Sequence, residues 1–423
     1  MKNKWMYLST LLLAGVLLLG TNGCKDDEPT ALSLESLMAG SVDLNGAVAA
    51  TTVPTNPTIV AGFTTSVDPA TATAANITMT RDYDNANVTL TITTSANMVT
   101  IVPTEVLASG ALYKLNFGAG LKSTDDQPLT ATTRAFTTIG TFAPSGMVAH
   151  WNFEDNANDV VGTFDPPASG VVAVTYTASR NTAAGKAATF NGTSSIIEIP
   201  KGDLLINTSN FSICFWVKAT SAGQVDAGGN PKGHFVLGLG AYTGIQFEIF
   251  GSYTGAKFAI QYELADGKTT AEDMWFPSLA TDKNNGGWQG WDYAKSLTDA
   301  EMIALIKDKW LQVVYTYKGA DKQGTLYYNG VKMKSFDFDL WPAGDAKLGV
   351  KGLKYGGVAP DVVNELAFGF VQSRAGTMWD SEPWGGYDIP TANHFRGQLD
   401  DVRIYHKALT AAEIDLMYKS EKP

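Results

Sequence analysis

Gln398-Leu399-Asp400-Asp401-Val402-Arg403-Ile404-Tyr405 lies near the end of the chain and decides how its larger part is read. Apolar and charged residues alternate there as in a strand, whose successive side chains point to opposite faces. Strict alternation puts Asp400, Val402 and Ile404 on one face and Leu399, Asp401, Arg403 and Tyr405 on the other. One aspartate of the pair therefore points toward a buried side. A buried carboxylate wants a cation or several hydrogen-bond donors.

Working outward, the same strand character recurs in Ser195-Ile196-Ile197-Glu198-Ile199, Phe211-Ser212-Ile213-Cys214-Phe215-Trp216-Val217, Gln246-Phe247-Glu248-Ile249-Phe250 and Trp310-Leu311-Gln312-Val313-Val314. Asn329-Gly330 between two apolar runs predicts a two-residue hairpin turn with φ above zero. Only two short helices are expected. Thr298-Asp299-Ala300-Glu301 and Thr410-Ala411-Ala412-Glu413 each open one with a capping box, in which the Thr hydroxyl takes a free backbone N–H and the Glu reaches back. Many strands and few helices over residues 146–423 predict a two-sheet jelly roll.

Residues 46–141 have shorter alternating runs, as in Val88-Thr89-Leu90-Thr91-Ile92-Thr93, Met98-Val99-Thr100-Ile101-Val102 and Tyr113-Lys114-Leu115-Asn116-Phe117. Turn residues separate them at Ser109-Gly110 and Asp125-Asp126-Gln127-Pro128, the spacing of a small β-sandwich. With Val60-Ala61-Gly62-Phe63, Val67-Asp68-Pro69 and Arg134-Ala135-Phe136-Thr137-Thr138, this region resembles the bacterial Ig-like domains of surface proteins. The resemblance implies a spacer. Ala143-Pro144-Ser145-Gly146 is the linker that follows, and the polar residues 24–45 read as a tether. The fold class is therefore all-β, a small Ig-like sandwich followed by a large jelly roll.

The start of the chain gives an address. Met1-Lys2-Asn3-Lys4 precedes an apolar run from Leu11 to Leu19, too short for a stable span of about 20 residues, and Gly23-Cys24 closes it. Residues 1–23 thus resemble a bacterial lipoprotein signal peptide, with Cys24 lipidated as the first mature residue. The pattern departs from the family at Thr21 and Asn22, and Gly23 fits it. Lys25-Asp26-Asp27-Glu28 resembles the export signal of surface lipoproteins in Bacteroidota. The resemblance implies an outer-membrane, lipid-anchored, surface-exposed protein whose only membrane contact is the lipid, with neighbouring surface proteins as possible partners.

Two cysteines and a net charge of −11 narrow the classes. With Cys24 consumed by lipid, Cys214 has no disulfide partner and is expected as a buried, inert thiol. The acidic balance argues against a nucleic-acid partner.

Five further blocks in order resemble the laminin-G-like, concanavalin A-like lectin and glucanase superfamily. They are Val148-Ala149-His150-Trp151-Asn152-Phe153-Glu154-Asp155, Gly185-Lys186-Ala187-Ala188-Thr189-Phe190-Asn191-Gly192, Phe211 to Val217, the Trp310 and Gly324 runs, and Phe395 to Tyr405. The resemblance implies a concanavalin A-like jelly roll and, at Asp155, Asp159 and Asp400, a structural Ca²⁺, an ion suited to hard oxygen ligands. The alternative at these positions is an aspartate paired with Arg403 or with backbone N–H groups.

Extra sequence relative to a minimal member lies at about 223–233, 264–307 and 374–394. Its aromatics, Trp275, Trp288, Trp291, Trp379, Trp384 and Tyr387, sit among Gly, Asn and Asp. Loops on a rigid sandwich are where binding residues concentrate. An indole face stacks on a sugar ring while nearby carboxylates and amides take its hydroxyls, so a glycan is the expected partner. The alternative is that these rings pack the loops onto the sandwich. A protein-binding adhesin or scaffold, or a polysaccharide hydrolase or lyase, are the other functional readings. Glu413-Ile414-Asp415 resembles the start of a glycosidase strand motif, but its last Glu is missing and it falls on an expected helix. Retaining hydrolysis needs two carboxyls about 5–5.5 Å apart across the bond. The four histidines lack zinc-protease spacing, and no nucleophile elbow occurs. No complete catalytic motif is present in the sequence.

Overall fold

The computed structural model describes residues 29–277 and 291–423, and its regular structure is overwhelmingly β. The signal segment, Cys24 and Trp288 lie outside the described residues. The chain divides into two compact units, one holding most of the residues before Thr138 and the other chiefly Thr138–Pro423.

The first unit is a sandwich of two five-stranded sheets. Ile59–Phe63 pairs with Met98–Pro103 in one sheet, and Ile77–Arg81 pairs with Leu112–Phe117 in the other. Phe63 and Phe117 meet edge-on between the sheets, centroids 6.0 Å apart. The tether expectation needs correction. Leu34–Ala39 is a strand that pairs with Ile59–Phe63 and buries Leu37 and Ala39. Its core residues are spaced two apart among Glu, Ser and Met, so the mean composition is polar while one face is apolar.

The second unit is a larger two-sheet sandwich, one sheet of nine strands and one of eight. Facing side chains join them. Phe215 meets Phe247 at 5.3 Å, and Phe258 stacks on Tyr315 at 5.1 Å. In the eight-stranded sheet Ile197, Phe368, Leu237, Phe247, Phe258 and Met274 lie in register across six strands and all point into this core. Their sequence neighbours point the other way, onto the outer face, except Val236, which a bulge beside Leu237 turns into the core as well.

Local signals hold where expected. Asn329 and Gly330 have φ of 49° and 77° and close the hairpin between Gln323–Tyr328 and Val331–Asp337. Thr298 and Thr410 each make a full capping box, opening the helices Asp299–Ile306 and Ala411–Glu421. Glu413 and Asp415 therefore lie on a helix.

The strand Arg396–Tyr405 departs from strict alternation. Cys214 pairs with Arg403 but Trp216 pairs with Asp400, so Asp401 and Val402 face the single residue Phe215. Asp401 takes φ 48°, the extra residue of a β-bulge. The phase shifts there: Leu399, Val402 and Ile404 all enter the core, while Asp400, Asp401 and Arg403 gather on the other side. Asp400 thus does not share a face with Val402 and Ile404, and both aspartates are buried.

Candidate functional site

The outer face of the eight-stranded sheet carries the site, and the 374–394 insertion is fastened to it at both ends. At the start, Arg374 Nη2 lies 2.6 Å from Glu198 Oε2, and the Arg374 and Ser373 donors occupy Glu198 Oε1. At the end, buried Lys232 donates to the carbonyls of Pro390 and Ala392 at 3.2 and 2.9 Å. Lys232 belongs to the 223–233 insertion, so one inserted loop supports another. Tyr387 donates its hydroxyl to the Ser194 carbonyl at 2.6 Å and packs edge-on against Phe370. Under the loop Ile196, Phe235, Ala367, Phe370, Val371 and Ala392 form a small core of their own.

On this base stands an aromatic group. Trp379 and Trp384 have centroids 5.0 Å apart and planes at 55°. Tyr242 joins from the Ala241–Thr243 turn, 6.3 Å from Trp379 at 38°. Trp384 is 39% exposed and Tyr242 41%, while Trp379 is half-buried against Phe235. The rings are tilted, forming a cupped rather than a coplanar surface. Trp379 has φ 69°, a left-handed conformation that is an outlier for a bulky residue. Such strain persists only where the surroundings over-determine it, and it concentrates at ligand clamps.

Beside this group a polar strip crosses the sheet. Phe235, Glu248, Lys257 and Trp275 are consecutive cross-strand partners on the outer face. Glu248 Oε1 lies 3.2 Å from Lys257 Nζ, and Gln246 donates to Glu248 at 3.0 Å. Burial pushes the Glu248 carboxyl above its ordinary range, against the pull of Lys257. Trp275 is 49% exposed, with Phe250 5.3 Å away and Lys257 over its ring at 5.2 Å.

The sequence candidates thus separate. Trp379 and Trp384 come together, Tyr387 supports them from below, and Trp275 stands at the sheet edge. Trp291 begins the strand Trp291–Ala294, which pairs at Phe336 in the other sheet. Tyr242 escaped the sequence reading because it lies outside the three insertions, flanked by Gly240 and Gly244 in a tight turn.

The three carboxylates expected around calcium are each engaged by protein donors. Exposed Asp155 pairs with Lys186 at 2.6 Å. Asp159 accepts backbone N–H groups of His150, Val161 and Phe164 at 2.9, 3.0 and 3.2 Å. Asp400 accepts from Arg180 at 2.6 Å and from Ser179. Arg403 pairs with Asp401 and Glu421, at 2.9 and 2.5 Å, rather than with Asp400. Among the described residues, no three His, Cys, Asp or Glu side chains group as metal ligands. A polar pocket lined by His150, Arg180, Asp401, Arg403 and Glu421 opens beside this network, but its charged groups are committed to one another.

Residues 42–138 match the bacterial Ig-like domain family. This Ig-like domain match covers most of the first sandwich. No curated protein matches the chain. Solved structures similar to it include the binding domain of Paraclostridial Mosquitocidal Protein 1, at 15% identity, 65% of this chain, 52% of that chain and a TM-score of 0.39. The botulinum neurotoxin serotype D ligand binding domain in complex with N-acetylneuraminic acid follows at 13%, 65%, 51% and 0.40. Domain 4 of AbnA, a GH43 extracellular arabinanase from Geobacillus stearothermophilus, in complex with arabinotriose, is similar at 19%, 65%, 98% and 0.34. The chain spans about half the length of the first two.

Proposed function

We propose that this protein is a surface lipoprotein that binds glycan through the outer face of its larger sandwich. Cys24 would carry the lipid that holds it on the outer membrane, and the Ig-like domain would serve as spacer. The observation that carries the glycan reading is the cupped group of Trp379, Trp384 and Tyr242 on a doubly fastened loop. Aromatic faces left open on a rigid base offer apolar area to a sugar ring, worth roughly 25 cal/mol per Å² buried. The loop is fastened at both ends, which reduces the ordering that binding would cost.

The test is a polysaccharide array probed with the purified chain and with Trp384→Ala, alongside an assay for released reducing sugar. Binding that Trp384→Ala abolishes, without sugar release, is the expected result. Binding to no glycan sinks the proposal, and sugar release makes the protein a hydrolase. The anchor is tested separately by metabolic lipid labelling, which Cys24→Ala should abolish. Protease accessibility on intact cells reports whether the chain faces outward.

A further inference from the structure

The strip between the tryptophans and Trp275 has a length, a polarity and a charge, and together they describe a ligand. Phe235, Glu248, Lys257 and Trp275 stand in one row across four adjacent strands. Three strand spacings separate the ends, so Trp275 lies about 14 Å from Phe235, the length of about three hexose units. Trp379 and Trp384 sit over the Phe235 end, with centroids 6.4 and 6.2 Å from its ring. The row therefore has aromatic surface at both ends and hydrogen-bonding groups between them.

The middle is polar and slightly negative. Lys257 is held by Glu248 at 3.2 Å and by Asp273 at 3.8 Å, two carboxylates around one ammonium. Gln246 and Asp273 occupy the next outer row, with Ala259 between them as their common partner. Ala259 is small and Gln246 is buried, so Asp273 sets the relief of that row. Uronate, sialate or sulfate groups on this strip would meet uncompensated negative charge, whereas neutral hydroxyls find acceptors in Glu248 and Asp273 and a donor in Lys257.

We infer that this face binds a neutral, linear oligosaccharide of at least three units, laid across the strands from the Trp379–Trp384 pair to Trp275. The inference rests on the glycan reading above and adds chain length, direction and charge class to it. Trp384 anchors one end for any ligand. Trp275 is reached only by a chain long enough to cross the strip.

Calorimetric titration of the full chain with neutral cello-, xylo-, manno- and arabino-oligosaccharides, from disaccharide to pentasaccharide, tests it. Affinity for the bound series should rise about tenfold between disaccharide and tetrasaccharide, one added aromatic contact. Trp275→Ala should erase that rise and leave the disaccharide affinity unchanged, Trp275→Tyr should restore it, and Trp384→Ala should weaken every length. Oligogalacturonate should bind at least tenfold more weakly than the neutral series. A length dependence untouched by Trp275→Ala, or equal affinity for oligogalacturonate, overturns this inference while leaving the glycan reading standing. No binding by any oligosaccharide overturns both. Trp275 is half-exposed at the sheet edge, so melting of its variants, measured beside binding, separates lost contact from lost fold.

Discussion

Trp379 and Trp384 reach 5.0 Å centroid separation because Gly385 has no side chain: a Cβ there would stand 2.6 Å from Trp379 Cβ. The obstacle is the root of the side chain, which cannot swing away as a flexible tip would. Gly385→Ala must therefore push Trp379 off Phe235 or distort the turn. The expected cost is about 1–3 kcal/mol of stability, as for overpacking. Glycan affinity should fall several-fold more than melting alone explains, and titration beside thermal unfolding checks both.

Arg374 secures the base of the same loop. Removing its guanidinium leaves Glu198, largely buried, with only the Ser373 hydroxyl and a backbone N–H. Arg374→Ala should cost about 2–3 kcal/mol, the range for losing a charged hydrogen-bond partner. Hydrogen exchange should quicken across 374–394 before the rest of the sandwich. Uniform loosening of both sheets would contradict the view that this pair fastens the loop locally.

Much of this architecture was legible because it is local. Alternation marked Phe211 to Val217, Asn329-Gly330 marked its turn, and Thr298 and Thr410 marked their helices within four residues. The outer row was not legible, because Phe235, Glu248, Lys257 and Trp275 are brought side by side by register, which is set across the sheet. Tyr387 carried the same loop signal as Trp384 yet serves as support, since its hydroxyl found the Ser194 carbonyl. The bulge at Asp401 left no mark in sequence: an aspartate in a left-handed conformation looks like any other aspartate.

That bulge creates a pH dependence. Burial and the adjoining Asp401 carboxylate push Asp400 well above the usual carboxylate range, against Arg180. Asp401 is itself held well below the usual range: burial opposes its charge, but Arg403, His150 and Arg180 outweigh that. Burial also lowers His234 to about 3 and His394 to about 4. Between about pH 4 and 6.5 the unfolded chain binds two more protons at the histidines and the folded chain one more at Asp400, so these groups make stability rise with pH. Above about 6.5 the histidines no longer differ, and Asp400 still holds its extra proton in the folded state, so stability falls as pH rises until Asp400 ionises. Melting midpoints should decline over that upper interval, and Asp400→Asn should flatten it. A decline that survives in the variant would assign it to other groups.

Asp159 is expected to matter through its backbone bonds. Three N–H groups from His150, Val161 and Phe164 converge on its carboxylate and tie the 159–164 turn to the strand Met147–Trp151. Asp159→Ala should lose about 2–3 kcal/mol, with Asp159→Asn in between. The same melts run in EGTA and in added Ca²⁺ test the calcium expectation: a midpoint that moves with the ion would mean that Asp155, Asp159 or Asp400 exchanges these donors for it.

Cys214 offers a probe of the C-terminal helix. It is the direct partner of Arg403 and lies two residues from Trp216, so all three share the face that Ala411–Glu421 covers. Glu421 ties that helix down, accepting from Arg403 at 2.5 Å and from the Trp216 indole at 2.9 Å, while Tyr418 stacks on Trp216 at 6.0 Å. The thiol is fully buried, and burial raises its pKa, so neither access nor ionisation favours reaction. In a Cys24→Ala background, native protein should resist a thiol reagent that labels one site per chain after denaturation. Glu421→Ala leaves Arg403 with Asp401 alone and the buried Trp216 indole N–H without its acceptor, and should speed native-state labelling at least tenfold by letting the helix lift. Equal rates with and without Glu421 would show that Cys214 is reached only through global unfolding.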